Sequence, residues 1–301
     1  METLGWSRRD FLKRSMLASG LVVAPGLITA CQRTEPGTGQ ATGSTLQRIK
    51  DEGTVTVGFA NEEPYAYRGD NGELVGEAPA IHGYIFKQIG DITLEGELFD
   101  FDALIPVLNA GRVDVVTAGM FITPERCAQA AFSNPEYVVG TSLLVKKGNP
   151  MGLSDYDSVA QKGAKLAVLS GAVELEQAKG AGVQQSQLLV VSDQTSGLDA
   201  VKAGRADALA LTSPSLRAAA EGESGVEVVE PPFTPVVNGE KEIGAGAAVF
   251  RKEDTDLVNA FNKELAALVR SPKWLQLVEP FGFSESEKPP PNLTANELCK
   301  G

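Results

Sequence analysis

Histidine and cysteine are almost absent: one His and three Cys in 301 residues. With His82 the only imidazole and no Cys/His cluster, the chain lacks the usual donors of a zinc site and the surroundings of a histidine-based catalytic centre. His82 falls in a predicted helix and reads as a packing residue. Basic residues are also short, 27 Lys and Arg against 39 Asp and Glu, a net charge of −12. That balance argues against nucleic acid and anionic membrane surfaces as partners. Beyond the first thirty residues no apolar run is long enough to span a bilayer, so the body reads as soluble. Nothing in the composition calls for a metal or a cofactor.

What is present begins at the N-terminus. Arg8-Arg9-Asp10-Phe11-Leu12-Lys13 precedes an apolar run, Met16 to Ile28, that is too short for a membrane span. This is the layout of a twin-arginine export signal. The run closes on Leu27-Ile28-Thr29-Ala30-Cys31, which reads as a lipobox with cleavage after Ala30 and lipid on Cys31. The alternative is an uncleaved N-terminal membrane helix, but the arginine pair and the lipobox point independently to processing. Residues 1–30 are therefore expected to be a signal peptide, and residues 31–45, rich in Gly, Thr, Gln and Pro, a flexible tether. Removing the first thirty residues leaves 23 basic and 37 acidic residues, net −14. Cys127 and Cys299 then remain. In an extracytoplasmic protein they read as a disulfide pinning the C-terminal tail, with two buried free thiols as the alternative.

From about Gln47 short β-rich runs alternate with helical patterns. Thr54–Phe59, Val113–Ala118, Leu143–Val145, Lys165–Leu169, Leu188–Val191 and Ala206–Leu211 read as strands. Helices are expected over Pro79–Ile89, Phe101–Ala110, from Glu174, over Gly197–Ala203 and over Thr255–Arg270. Such alternation predicts an α/β fold with mostly parallel sheets. One echo stands out: Ala110-Gly111-Arg112-Val113-Asp114 recurs as Ala203-Gly204-Arg205-Ala206-Asp207, each time a helix end running into a strand. A unit used twice suggests two similar lobes, for which 271 residues are ample.

The echo, the segment Thr117-Ala118-Gly119-Met120-Phe121-Ile122-Thr123-Pro124-Glu125-Arg126, and Phe132-Ser133-Asn134-Pro135-Glu136-Tyr137 resemble the polar amino-acid family of periplasmic solute-binding proteins. The likeness runs from about residue 47 to 283, and Thr-Pro-Glu-Arg is its most specific element. It implies the type II periplasmic-binding-protein fold: two α/β lobes joined by two strands, with the ligand in the cleft. Lobe 1 would comprise residues 46–142 and 241–283, lobe 2 residues 143–240, and 284–301 would form a tail. The crossings would fall near Gly140–Val145 and Val236–Ala247. The resemblance also implies a monomer that serves a membrane ABC permease and catalyses no reaction. Within the family, Ala60-Asn61-Glu62-Glu63-Pro64-Tyr65, Phe121 ahead of Thr123-Pro124-Glu125-Arg126-Cys127, Lys146 to Leu153, and Glu279-Pro280-Phe281-Gly282-Phe283 are most similar to the members that bind the compatible solutes ectoine and hydroxyectoine.

Such a ligand is a cyclic zwitterion with a carboxylate and a ring amidinium. The resemblance assigns Arg126 to the carboxylate, by bidentate pairing. It assigns Glu62 to the amidinium in its plane, with Glu63 as the one-residue alternative. Tyr65, Phe101 and Phe121 would form an aromatic box around the cation. Gly119, Ser170, Gly171 and Ser196 complete the expected site with backbone or hydroxyl contacts. Two departures bear on the ligand. Amino-acid binders commonly carry an acid after the second echo strand, where this chain reads Leu209 to Pro214 with none. A buried α-ammonium there would lack an anion. After Gly171 the chain has Ala172 and Val173 where a hydroxyl residue is expected, which removes a lobe 2 hydrogen bond. The remaining readings are another betaine-like or amino-acid-like solute, a dehydratase of the cyclohexadienyl type, and a sensory binding protein.

Overall fold

The computed structural model describes residues 44–300. The expected signal peptide, the lipidation of Cys31 and nearly all of the tether lie outside the described residues. Ser44 already caps a helix, α1 (Thr45–Glu52), by accepting from the Gln47 N–H. Strand β1 (Thr54–Phe59) follows, then a hairpin of β2 (Tyr67–Arg68) and β3 (Leu74–Val75), helix α2 (Glu77–Gly90) and β4 (Thr93–Leu98). A 3-10 turn at Phe101–Ala103 leads into α3 (Leu104–Asn109), β5 (Val115–Phe121), α4 (Pro124–Cys127), β6 (Ala131–Phe132) and β7 (Tyr137–Val139). The second half holds β8 (Thr141–Lys146), α5 (Tyr156–Lys162), β9 (Leu166–Leu169), α6 (Val173–Gly180), β10 (Leu188–Val191), α7 (Gln194–Lys202), β11 (Ala208–Thr212), α8 (Ser213–Ala220) and β12 (Val226–Val228). A hairpin of β13 (Val236–Val237) and β14 (Glu240–Lys241), then β15 (Gly244–Phe250), α9 (Thr255–Val269), α10 (Lys273–Val278) and α11 (Ala295–Leu298), completes the described chain.

Among the described residues these strands form two main sheets, β4-β1-β5-β15-β6 with β7 also on β15, and β10-β9-β11-β8-β12. The chain leaves the first sheet at β7 and enters the second at β8, so it changes sheets at Gly140. It returns between Val228 and Gly244. This is the two-lobed type II binding-protein architecture. The sheets are mixed rather than mostly parallel. Strands linked by helices run parallel (β1 with β4 and β5; β9 with β10 and β11), whereas β8 and β15, which cross between lobes, pair antiparallel. The second sheet already includes Thr141 and Ser142, two residues ahead of the expected start at 143.

The echoed motif has one physical meaning in both lobes. Gly111 and Gly204 end their helices at φ of 70° and 72°, where a glycine meets no Cβ penalty. The aspartate then clasps the neighbouring strand. The Asp114 N–H donates to Thr56 O and its carboxylate accepts from the Thr56 N–H; Asp207 does the same at Lys165. In lobe 1, Ile81, Ile85 and Phe86 of α2 and Leu257, Phe261 and Leu265 of α9 pack on Val55, Val57 and Phe250 of the sheet. Each such side chain contributes about 1.5–3 kcal/mol by burial. His82 is fully buried, with ring nitrogens 2.8 Å from Thr117 Oγ1 and Glu136 Oε1. It is part of the lobe's interior.

Cys127, the last residue of α4, is bonded to Cys299 across 172 residues of sequence. The bond ties the tail to the short helix that carries Arg126. Closing so long a loop restricts the unfolded chain by about 2–4 kcal/mol. Replacing both cysteines by serine should therefore lower stability by that order in chemical denaturation. Solute affinity should change less than threefold, because neither sulfur lines the cavity described below.

Candidate functional site

In open α/β sheets the crevice outside the carboxyl ends of the strands is where ligands bind. Here those ends face each other across the two lobes. The loop after β1 carries Glu62 and Tyr65. Its carbonyls at Pro64 and Tyr65 accept from the first amides of α2, Glu77 and Ala78, which satisfies orphan donors of that helix end and fixes the loop. Phe101 follows β4, and Gly119 and Phe121 end β5. From lobe 2, Ala172, Val173 and Glu174 open α6 after β9, and Leu211 and Thr212 end β11. Together with Arg126 these residues line one cavity of about 320 Å³, its open mouth included.

Arg126 is only 9% exposed. Thr123 caps α4 by accepting from the Arg126 N–H, and this directs the guanidinium into the cleft. Nη1 donates to Phe121 O at 2.8 Å, and Nη2 reaches across to Gly171 O at 2.9 Å. A guanidinium has five N–H donors, so donors remain for a ligand. The guanidinium carbon lies 5.6 Å from the centre of the Phe101 ring. Burial lowers its pKa to about 10, opposed chiefly by Glu174, so it stays cationic at neutral pH.

Tyr65 stacks on Tyr137 at 5.0 Å and donates to Thr212 Oγ1, in the other lobe, at 2.9 Å. Gly119 has φ of 59°, and a Cβ there would come 2.4 Å from Tyr65 Cδ1, so only glycine lets that ring lie against β5. Glu62 is buried, and its Oε1 accepts from Ser215 Oγ of lobe 2. Burial raises the Glu62 pKa to about 7, with the Ser215 hydroxyl and Arg126 opposing.

The structure thus gathers Glu62, Tyr65, Phe101, Gly119, Phe121 and Arg126 around one cavity. Gly171 touches it through its carbonyl on Arg126, and a Cβ on Gly171 would collide with Asp102. Ser170 and Ser196 stand apart from the lining. Ser170 Oγ donates across the lobes to Asp102 Oδ2 at 2.7 Å, and the Ser196 N–H is spent on Asp193, the N-cap of α7. Glu63 presents its backbone, not its carboxylate, to lobe 2.

A second acid was not foreseen. Lobe 2 lacks one after β11, as expected, but Glu174 on α6 lines the cavity and is 2% exposed. The argument that lobe 2 offers no anion to a ligand ammonium is therefore overturned. The available signal was an acid in the first turn of a helix, which more often answers the helix dipole alone. Its pKa is raised to about 7 by burial; its own backbone amide opposes, and Glu62 adds to the rise. Ala172 and Val173 are lining residues, so the missing lobe 2 hydroxyl is a real feature of the cavity.

Residues 55–284 match the sequence profile of the bacterial extracellular solute-binding proteins, family 3, and the chain belongs to that family. It is the amino-acid type of periplasmic binding protein that delivers a small solute to an ABC permease. The chain is 34% identical over 258 residues to the "Probable amino-acid ABC transporter periplasmic-binding protein y4tE" of Sinorhizobium fredii, covering 85% of this chain and 86% of that one. The structure of EhuB in complex with hydroxyectoine superposes with a TM-score of 0.75 at 35% identity, covering 85% of this chain and 97% of that one. An ancestral amino-acid-binding protein, a precursor of cyclohexadienyl dehydratase, gives 0.69 at 27%, covering 79% and 99%. Among the described residues no helix is long and apolar enough to cross a membrane.

The raised carboxyl pKa values set a pH dependence. Between the ordinary carboxyl value of 4.5 and about 7 the folded protein holds protons that the unfolded chain has lost. Each group therefore favours folding at the acid end of that window, and this contribution is lost as pH rises through about 7. At about 1.4 kcal/mol per pKa unit, the effect is on the order of 1–3 kcal/mol per carboxyl. Raising the pH from 5.5 to 8.5 should lower the melting temperature of the parent more than that of the Glu62→Gln/Glu174→Gln double variant. Parallel curves would show that neither carboxyl carries the shift.

Proposed function

We propose that the protein captures ectoine or hydroxyectoine and delivers it to its permease. The observation that carries the reading is the charge pattern of the cavity: one guanidinium, two carboxylates and three aromatic rings around a single small space. A ring amidinium presents N–H groups in its plane and apolar-edged faces above and below. Glu62 and Glu174 supply acceptors for the N–H groups, and Tyr65, Phe101 and Phe121 supply faces that attract a diffuse cation at about 0.5–2 kcal/mol each. Arg126 keeps donors for the ligand carboxylate. The 35% identity with EhuB over nearly all of that chain supports the same ligand class. Hinge closure at the two crossings would bring Glu174 and Thr212 onto a ligand first held by lobe 1.

Glu174 also favours a second reading, in which a free α-amino acid places its ammonium against lobe 2. A thermal-shift screen with ectoine, hydroxyectoine, glycine betaine, lysine, arginine and glutamine separates the two. A solute at a hundredfold excess over its Kd stabilises by about 2.7 kcal/mol. The expected result is a shift with the ectoines alone, abolished in Arg126→Ala and weakened about 10- to 100-fold in affinity by Glu62→Gln, as for a lost charged hydrogen bond. A shift with amino acids only would replace the ligand and keep the class.

We further propose export by the twin-arginine route and anchoring by lipid at Cys31, supported by Arg8-Arg9 and by Leu27 to Cys31. Labelling cells with a radioactive fatty acid should mark the parent and not Cys31→Ala; an unlabelled parent would rule the anchor out.

A further inference from the structure

Besides the Ser170–Asp102 bond, the lobes are joined at the cleft by two sets of contacts. One set touches the cavity: Arg126 to Gly171, Tyr65 to Thr212, and Ser215 to Glu62. The other lies behind it and is built on one side chain. Gln194, first residue of α7 and 9% exposed, is not part of the cavity lining. Its Nε2 donates to Glu63 O at 2.8 Å and to Ser215 O at 2.8 Å, and its Oε1 accepts from Glu63 N–H at 3.3 Å. One carboxamide thus pairs with both the N–H and the C=O of a single residue in the opposite lobe. It also holds the main chain of Ser215, the residue whose hydroxyl meets Glu62. A carboxylate at this position could not donate to the two carbonyls, and an apolar side chain could do neither.

All of these cross-lobe bonds must break when the cleft opens, and none involves a ligand atom. The apparent affinity of a solute for a two-state cleft is its intrinsic affinity scaled by the fraction of protein in the binding-competent closed state. We infer that Gln194 is the latch of this cleft, a positioning residue that sets the closed fraction and so scales affinity for every solute without selecting among them. Specificity stays with the cavity residues.

The test uses the whole purified protein and the variants Gln194→Ala, Gln194→Glu and Gln194→Met, the last close in shape to the parent. Ectoine, hydroxyectoine and arginine are titrated against each, and the solute-free radius of gyration is measured by small-angle scattering. Loss of two interlobe hydrogen bonds predicts a rise in Kd of roughly tenfold for each solute that binds the parent, carried mostly by faster release. The rise should be the same for Gln194→Ala and Gln194→Met and at least as large for Gln194→Glu, which sets a carboxylate against the two carbonyls, with the ratio between solutes unchanged, whereas Glu62→Gln shifts that ratio. A Kd equal to the parent's, or a ratio that moves with Gln194, overturns the latch. Rescue of affinity by Gln194→Met would assign the residue to packing and overturn it equally. Scattering needs no solute, so the latch is decided even if the ectoines fail to bind. In that case a larger radius in the variants supports it and an unchanged radius rejects it.

Discussion

The cleft is organised by the burial of a single guanidinium. Taking the Arg126 charge out of water is costly unless its donors are met and an anion stands near. Two donors are met by carbonyls, one from each lobe, so the arginine binds the halves together while it waits for an anion from outside. Much of lobe 1 serves this placement. Thr123 and Pro124 start the four-residue helix, and Phe101 covers the guanidinium face. Glu62 and Glu174 share the same desolvated space, and burial raises the pKa of both to about 7. A cation brought into the cavity would favour their ionised forms.

Much of this was legible in the sequence. The echoed Ala-Gly-Arg-x-Asp works because helix termination by glycine and strand clasping by aspartate are both local. Arg126 and the aromatics were legible through a motif, since Thr-Pro-Glu-Arg is a capped helix start. What failed was long-range. Glu174 looks like any acid in a first helical turn until the strand order brings it opposite Glu62. Ser196 looked available, but Asp193, three residues earlier, claims its amide. The strand expected over Val113–Ala118 runs instead as Val115–Phe121, because Asp114 is spent on the clasp and the apolar run extends to the cleft. The mixed sheets follow from two strands that cross between lobes, which no local pattern announces.

The arrangement separates two tasks. The cavity residues meet the solute's charges and shape, whereas Gln194 with Ser215 and the Glu63 backbone joins the lobes behind it. In the cavity the two acids face an arginine and aromatic rings, an arrangement suited to holding a zwitterion.

The most direct test of the central claim is calorimetric titration of the purified protein with ectoine at pH 7 in two buffers of different ionisation enthalpy. If the ligand cation sits against Glu62 and Glu174, binding ionises them. The account predicts saturable one-site binding whose heat depends on the buffer, with net proton release that disappears in the Glu62→Gln/Glu174→Gln variant. Saturable binding with a buffer-independent heat would contradict the placement of the cation, and no binding would contradict the ligand.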